Sequence, residues 1–249
     1  MTLHSDLAVV LQVRDHGDSD KIVTLFSRAD GKLAMIAKGA KRSRKRFVNK
    51  LEPFTLLDIQ YAPGRTSTLM RLDQAELLAP YPLLRENYPS YVAASLLCEL
   101  VLNWTREQDG DEELFHLLVW ALEGLNRKGQ PGRTVIFFHL NMLTILGYRP
   151  FLDGCLDCGG LAAANGPYRF SPLRNGLVCS RCEPAFSAGS LPVSIQTVQL
   201  LRKVQELGRD KLERLCFPQT ALAESLALLN GYDSHLLQRE LHSWKFLQG

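Results

Sequence analysis

Four cysteines in two pairs, Cys155-x-x-Cys158 and Cys179-x-x-Cys182, lie twenty residues apart in a chain of 249. Each CxxC turns tightly enough to aim both sulfurs at one point. Two such turns at this separation bring four thiolates to the corners of a tetrahedron, the geometry that Zn²⁺ accepts in closed structural sites. Gly159 and Gly160 relieve the backbone just after the first pair. Between the pairs, Tyr168 to Val178 reads as two short strands around an Asn175-Gly176 turn, as in a zinc ribbon. Two disulfides, or four ordinary thiols, are the alternatives that this spacing disfavours. A closed four-cysteine site leaves no position for water, so one Zn²⁺ here holds structure and does not catalyse.

The other two cysteines, Cys98 and Cys216, have apolar neighbours and are expected to be buried thiols, which suits a reducing compartment. No apolar run approaches the roughly 20 residues of a membrane helix. The first residues, Met1 to Asp6, carry no basic leader before an apolar segment, so a cytoplasmic location without a signal peptide is expected.

Net charge is only +3, but it is unevenly placed. Residues 1–80 hold 13 Lys/Arg against 9 Asp/Glu, whereas residues 81–249 hold 16 against 17. Most of the excess is one run: Lys38, Lys41, Arg42, Arg44, Lys45, Arg46 and Lys50, with no acidic residue among them. Such a run attracts a phosphate backbone by releasing condensed counterions and reads no bases. A solvated loop that serves only solubility is the bland alternative. Phe47 is the one aromatic inside the run, either a base-stacking side chain or the loop's anchor on the domain beneath it.

The run sits inside a β-rich region. Leu7–Val13, Ile22–Phe26, Leu33–Ala37, Phe54–Tyr61 and Thr66–Leu72 are short apolar or β-branched segments separated by turn signals. Leu57, Ile59 and Tyr61 alternate with polar residues, and Met70 and Leu72 keep the same period. Five strands in about 80 residues, with a long connection before the fourth, fit a small closed barrel of the OB type, and the basic run is that connection. After Pro80 and Pro82 the period becomes helical. Helices are expected over Tyr88–Arg106, Glu112–Leu125, Pro131–Gly147, Val193–Leu207, Thr220–Asn230 and Ser234–Phe246. The expected fold is α+β: an OB-fold domain over 1–80, then an all-α domain over 81–249 with a zinc ribbon inserted at about 150–186, between helices of one bundle.

Taken together, the order and spacing of several short segments resemble the RecO family of bacterial recombination mediators. In the N-terminal part these are Asp20 to Ser27, Gly31-Lys32-Leu33, Ala37 to Ala40, Arg44, Arg46-Phe47 and Leu51 to Phe54. In the middle they are Leu146 to Pro150 before Cys155, Phe170-Ser171-Pro172, and Gly176 to Cys179 before Cys182. The resemblance implies an OB domain, a helical domain and a four-cysteine zinc site. It implies an activity without catalysis: binding single- and double-stranded DNA, annealing complementary strands and working with RecR. With that partner, the resemblance implies, the protein helps load RecA on strands covered by single-strand-binding protein (SSB), whose C-terminal tail meets the helical domain. Where family members often end in a basic stretch, Arg239, His242, Ser243 and Lys245 are spread among apolar residues here.

Signatures of catalysis are absent from the sequence. It has no G-x-x-x-x-G-K-[ST], no G-x-S-x-G and no H-E-x-x-H. His4 and His16 fall at strand edges, and His116, His139, His235 and His242 on helices, where a lone histidine is ordinarily structural. Asp109, Asp111, Glu112 and Glu113 sit at an expected helix start, where carboxylates favour the dipole. A zinc-ribbon repair enzyme (glycosylase or nuclease) and an adaptor that touches only proteins remain the competing readings.

Overall fold

The computed structural model describes residues 3–64, 69–127, 130–160, 168–182, 189–209, 211 and 215–247. The chain forms two compact units, residues 1–129 and 130–249.

The first unit begins with a five-stranded closed barrel: β1 (His4–His16), β2 (Asp20–Ser27), β3 (Gly31–Ala37), β4 (Leu56–Ala62) and β5 (Met70–Ala79), in the order β1-β2-β3-β5-β4. β4 pairs back onto β1, and β3 pairs with β5 in parallel, which closes the sheet. The expected alternation is realised: Leu33, Met35 and Ala37 from β3, and Leu57, Ile59 and Tyr61 from β4, point into one core with Val10, Val23, Leu25 and Leu72. The last strand extends beyond the expected Leu72 to Ala79, and the start of that segment, Thr66–Thr68, lies outside the described residues.

Three helices belong to the same unit: α1 (Leu83–Glu86), α2 (Tyr88–Trp104) and α3 (Glu112–Leu125). The expected boundary after residue 80 lies between the end of β5 at Ala79 and the start of α1 at Leu83. Asn87 caps α2 by accepting from Ser90 N–H at 3.0 Å, and Asp111 caps α3 through Leu114 N–H at 2.9 Å. That cap gives the acidic cluster at 109–113 a structural role. The β2–β3 turn docks against the loop between α2 and α3. Lys32 Nζ donates to the carbonyls of Leu102 (2.8 Å) and Thr105 (2.6 Å), a cation at the negative end of α2. The backbones touch so closely that a Cβ on Gly31 would lie 2.1 Å from the Asp109 carbonyl oxygen, and one on Gly110 would lie 1.8 Å from that of Ala29.

The second unit holds α4 (Pro131–Ile145), the sheet β6 (Phe151–Cys155), β7 (Tyr168–Ser171), β8 (Gly176–Cys179) and β9 (Leu191–Val193), then α5 (Ile195–Glu206), α6 (Gln219–Leu237) and α7 (Trp244–Leu247). The sheet order is β6-β8-β7-β9, so the two expected ribbon strands gain a neighbour on each side. The expected ribbon span reaches residue 186, and 161–167 and 183–188 lie outside the described residues. α4, α5 and α6 pack on one another, and the ribbon enters the sequence between α4 and α5. The expected helices Thr220–Asn230 and Ser234–Phe246 are instead the long α6 and the short α7. Gly231 lies inside α6, where a Cβ would be 2.5 Å from Leu191 Cδ1, so the glycine serves packing rather than a turn. Buried His139 on α4 and Asp233 on α6 bond at 2.9 Å, and Trp244 Nε1 donates to Asp233 at 3.0 Å, pinning α7. Among the described residues, no helix is long and apolar enough to cross a membrane.

Candidate nucleic-acid interface and metal centre

The basic run is the connection from β3 to β4, opening with a 3₁₀ turn at Ala40–Arg42. It is tied down at several points. Asp20, at the start of β2, accepts from Gly39 N–H at 2.8 Å, and this bond, with that from Ser19, holds its carboxyl below the usual aspartate value. Lys41 N–H donates to Ser19 O at 2.9 Å, while its ammonium reaches Asp15 at 2.9 Å and Gly17 O at 3.1 Å. Phe47 is only 3% exposed and belongs to the barrel core, so it anchors the loop and is not free to stack on a base. Arg46 lies over the Phe47 ring at 4.9 Å and donates to Lys38 O at 2.9 Å. Lys50 Nζ donates to Ala75 O at 2.7 Å and faces Glu76 at 3.5 Å.

The seven cations therefore divide by task. Lys41, Arg46 and Lys50 hold the loop against the barrel. Lys38, Arg42, Arg44 and Lys45 are exposed; Lys38 helps lower the Asp20 carboxyl, and among the described residues Arg42, Arg44 and Lys45 make no ion pair with a carboxylate. A shallow groove of about 200 Å³ runs beside them, lined by Lys45, Arg46, Lys50, Gln74, Ala75 and Glu76. Exposed cations fixed at the base of a loop but free at their tips make a surface of positive potential with little reorganisation on meeting an anion.

The four expected cysteines come together. Their Sγ atoms all lie within 4.8 Å of one another, and Cys158 and Cys179 are 3.8 Å apart. A tetrahedral thiolate site with metal–sulfur bonds of about 2.3 Å has edges of about 3.8 Å, so the set fits a metal ion with a small contraction. Local backbone prepares it. Burial opposes ionisation of Cys155, but N–H groups of Cys158, Cys179 and Asp157 outweigh it and bring the thiol down to about 6. Cys179 shifts the same way: N–H bonds from Cys182 and Arg181 outweigh its desolvation. Cys182 is pushed up to about 12, chiefly by its contacts with Cys179 and Cys158. Four such sulfurs repel as thiolates, and a cation at their centre removes that penalty.

The ribbon is fastened by a second set of contacts. α4 ends in a Schellman motif: Gly147, at φ +81°, donates to Thr144 O, and Tyr148 N–H to Leu143 O at 2.7 Å. Asn175 Nδ2 donates to Arg149 O, and the Tyr232 hydroxyl on α6 reaches both Asn175 Oδ1 (2.6 Å) and Tyr148 O (3.1 Å). Arg174 pairs with Asp157, next to Cys158. Of the remaining cysteines, Cys98 is buried and pushed up to about 12, whereas Cys216 is exposed, contrary to expectation. Its neighbour Phe217 takes the inward position and leaves Cys216 at the surface.

The family model for the N-terminal part of recombination protein O matches residues 1–81, and that for its C-terminal part matches residues 85–245. The chain belongs to the RecO family. A DNA repair protein RecO from Syntrophus aciditrophicus is 34% identical over 245 residues, covering 98% of this chain and 95% of its own. That from Myxococcus xanthus is 35% identical over 247 residues, covering 99% and 98%. That from Geobacter sulfurreducens is 34% identical over 241 residues, covering 97% and 96%. RecO membership places the chain in recombinational DNA repair. The RecO segments recognised in sequence are the ones with structural work here: Asp20 holds the basic loop, Lys32 caps α2, and the segment from Leu146 to Pro150 joins α4 to the ribbon.

Proposed function

We propose that the chain is a DNA-binding recombination mediator whose β3–β4 loop holds the phosphates of two strands at once. Lys38, Arg42, Arg44 and Lys45 lower the repulsion that slows pairing, base pairing supplies specificity, and the protein supplies proximity. Lys41, Arg46 and Lys50 add charge while keeping the loop in place. The observation that carries this reading is the division of the run into cations tied to the barrel and exposed cations that make no close ion pair among the described residues. The barrel's few exposed aromatics make binding of single- and double-stranded DNA mainly electrostatic, weakly selective and steeply dependent on salt.

In this proposal Cys155, Cys158, Cys179 and Cys182 hold one Zn²⁺ that fixes the ribbon fold and takes no part in chemistry. The chain acts without catalysing, in the bacterial cytoplasm, on DNA of the nucleoid. With RecR as partner it helps load RecA on SSB-coated strands, with the SSB tail meeting the helical region. The test is annealing of complementary single strands without ATP, comparing wild type with Arg42, Arg44 and Lys45 changed together to Ala. Arg46 stays, because its loss would disturb the loop itself. Rapid annealing that collapses in the variant, with melting unchanged, is the expected result. No annealing by wild type at low salt would favour the adaptor reading, and cleavage of nicked or abasic duplex with Mg²⁺ would favour the enzyme.

A further inference from the structure

The four clustered cysteines are not equally reachable. Cys155 ends β6 at 2% exposure, where its sulfur accepts from Cys179 N–H at 3.3 Å. Cys179 and Cys182 are half-buried, and Cys158 alone of the four is exposed. Its place in the chain also lets it shift. Cys158 lies in the turn after β6, and the next residue is Gly159, at φ +65° and with open space beside it. Cys179 closes β8, where it pairs with Tyr168 of β7. The Sγ atoms of Cys158 and Cys179 are 3.8 Å apart, and a disulfide needs about 2.0 Å. The turn can cover that difference while the sheet stays in place.

A small oxidant meets the surface sulfur of such a cluster first. The thiolate is the form that reacts with hydroperoxides, and the sulfurs of a closed metal site are already deprotonated. Attack of the Cys158 sulfur on hydrogen peroxide forms an S–O bond, breaks the O–O bond and releases hydroxide, leaving a sulfenic acid. The Cys179 thiolate then attacks that sulfur. An S–S bond forms, the S–O bond breaks, and the departing hydroxide takes up a proton to become water. The two sulfurs have together given two electrons to the peroxide. Two thiolates remain, and a closed site needs four. Of the other cysteines, Cys98 is buried, and Cys216 is exposed but stands outside the cluster.

We infer that Cys158 is an oxidative modification site, attacked by hydroperoxides and resolved by Cys179, so that the ribbon gives up its metal reversibly under oxidation. The loss of metal rests on the proposed zinc centre, whereas the disulfide rests on the placement of the two sulfurs. The test uses the full wild-type chain, with metal content measured before hydrogen peroxide is added. Trypsin separates the outcomes, because Arg169, Arg174 and Arg181 stand between the cysteines. Cys155 and Cys158 share one peptide, and Cys179 and Cys182 fall on two others. Mass spectrometry without reduction should find the first peptide joined to that of Cys179, with fragmentation placing the link on Cys158. Dimedone should label Cys158 at early times, a zinc-binding dye should register release of the metal in step with the bond, and dithiothreitol should reverse the bond. A disulfide between Cys155 and Cys158, a link to the Cys182 peptide, or oxidation confined to Cys216 overturns this inference and leaves the zinc reading standing. Protein that holds no metal yet forms the Cys158–Cys179 bond overturns the zinc reading and supports the modification site.

Discussion

The basic loop and the cysteine cluster face the same electrostatic problem and solve it in opposite ways. Each gathers groups of one sign in a short connection. The loop spreads Lys38, Arg42, Arg44 and Lys45 along an exposed segment, where water and salt screen them, and uses Lys41, Arg46, Lys50 and Phe47 to fix the base. The ribbon brings four sulfurs within 4.8 Å of one another, where N–H groups already pull Cys155 and Cys179 toward the thiolate. Dispersed charge can wait for its ligand without destabilising the fold. Concentrated charge cannot, so in the proposed reading a cation at the cysteines would become part of the fold.

The sharpest test of that contrast is metal removal. Treatment with a strong chelator, or Cys155→Ser, should destabilise the second unit by about 4 kcal/mol or more. Calorimetry should show its transition moving while that of the first unit stays; an unmoved transition would break the comparison. Next in size is Phe47→Ala, which empties a core position and should cost the barrel about 3–5 kcal/mol in denaturant unfolding. It should also weaken DNA binding although no charge is lost, because the loop loses its anchor. Arg42→Ala, Arg44→Ala and Lys45→Ala should each change stability by no more than about 0.5 kcal/mol. Together they should lower the salt slope of single-strand binding by roughly 2. The smallest effect should be a pH dependence at Asp20. Its carboxyl is lowered in the folded state, so its contribution is full above the ordinary value of 3.8 and fades as pH falls through the lower folded value. Melting curves of wild type and Asp20→Asn should therefore converge in acid and separate toward neutrality.

What was legible in the sequence follows from how local each signal is. The cysteine cluster was readable because CxxC turns are self-contained and their separation limits the outcome. Strand alternation at Leu57, Ile59 and Tyr61 exposed the barrel, since burial on one face writes itself with period two. The tasks of the seven cations were not legible: Arg46 and Lys50 are held by carbonyls of Asp73 and Ala75 on a strand that follows in sequence by more than twenty residues. β6 and β9 were missed because a five- and a three-residue strand carry too little periodicity, and β6 includes Gly154 and Cys155. The helix break placed at Asn230-Gly231 failed because the glycine is there to admit Leu191, a fact about a neighbour.

The seam between Gly31 and Gly110 sets an order of events during synthesis. The barrel strands are complete once Ala79 has left the ribosome, but the β2–β3 turn closes against residues 105–110, and Lys32 finds its carbonyls on Leu102 and Thr105. At typical elongation rates the nascent barrel waits about two to six seconds for that segment to emerge. During that interval one of its turns stays open, a vectorial pause built into the chain.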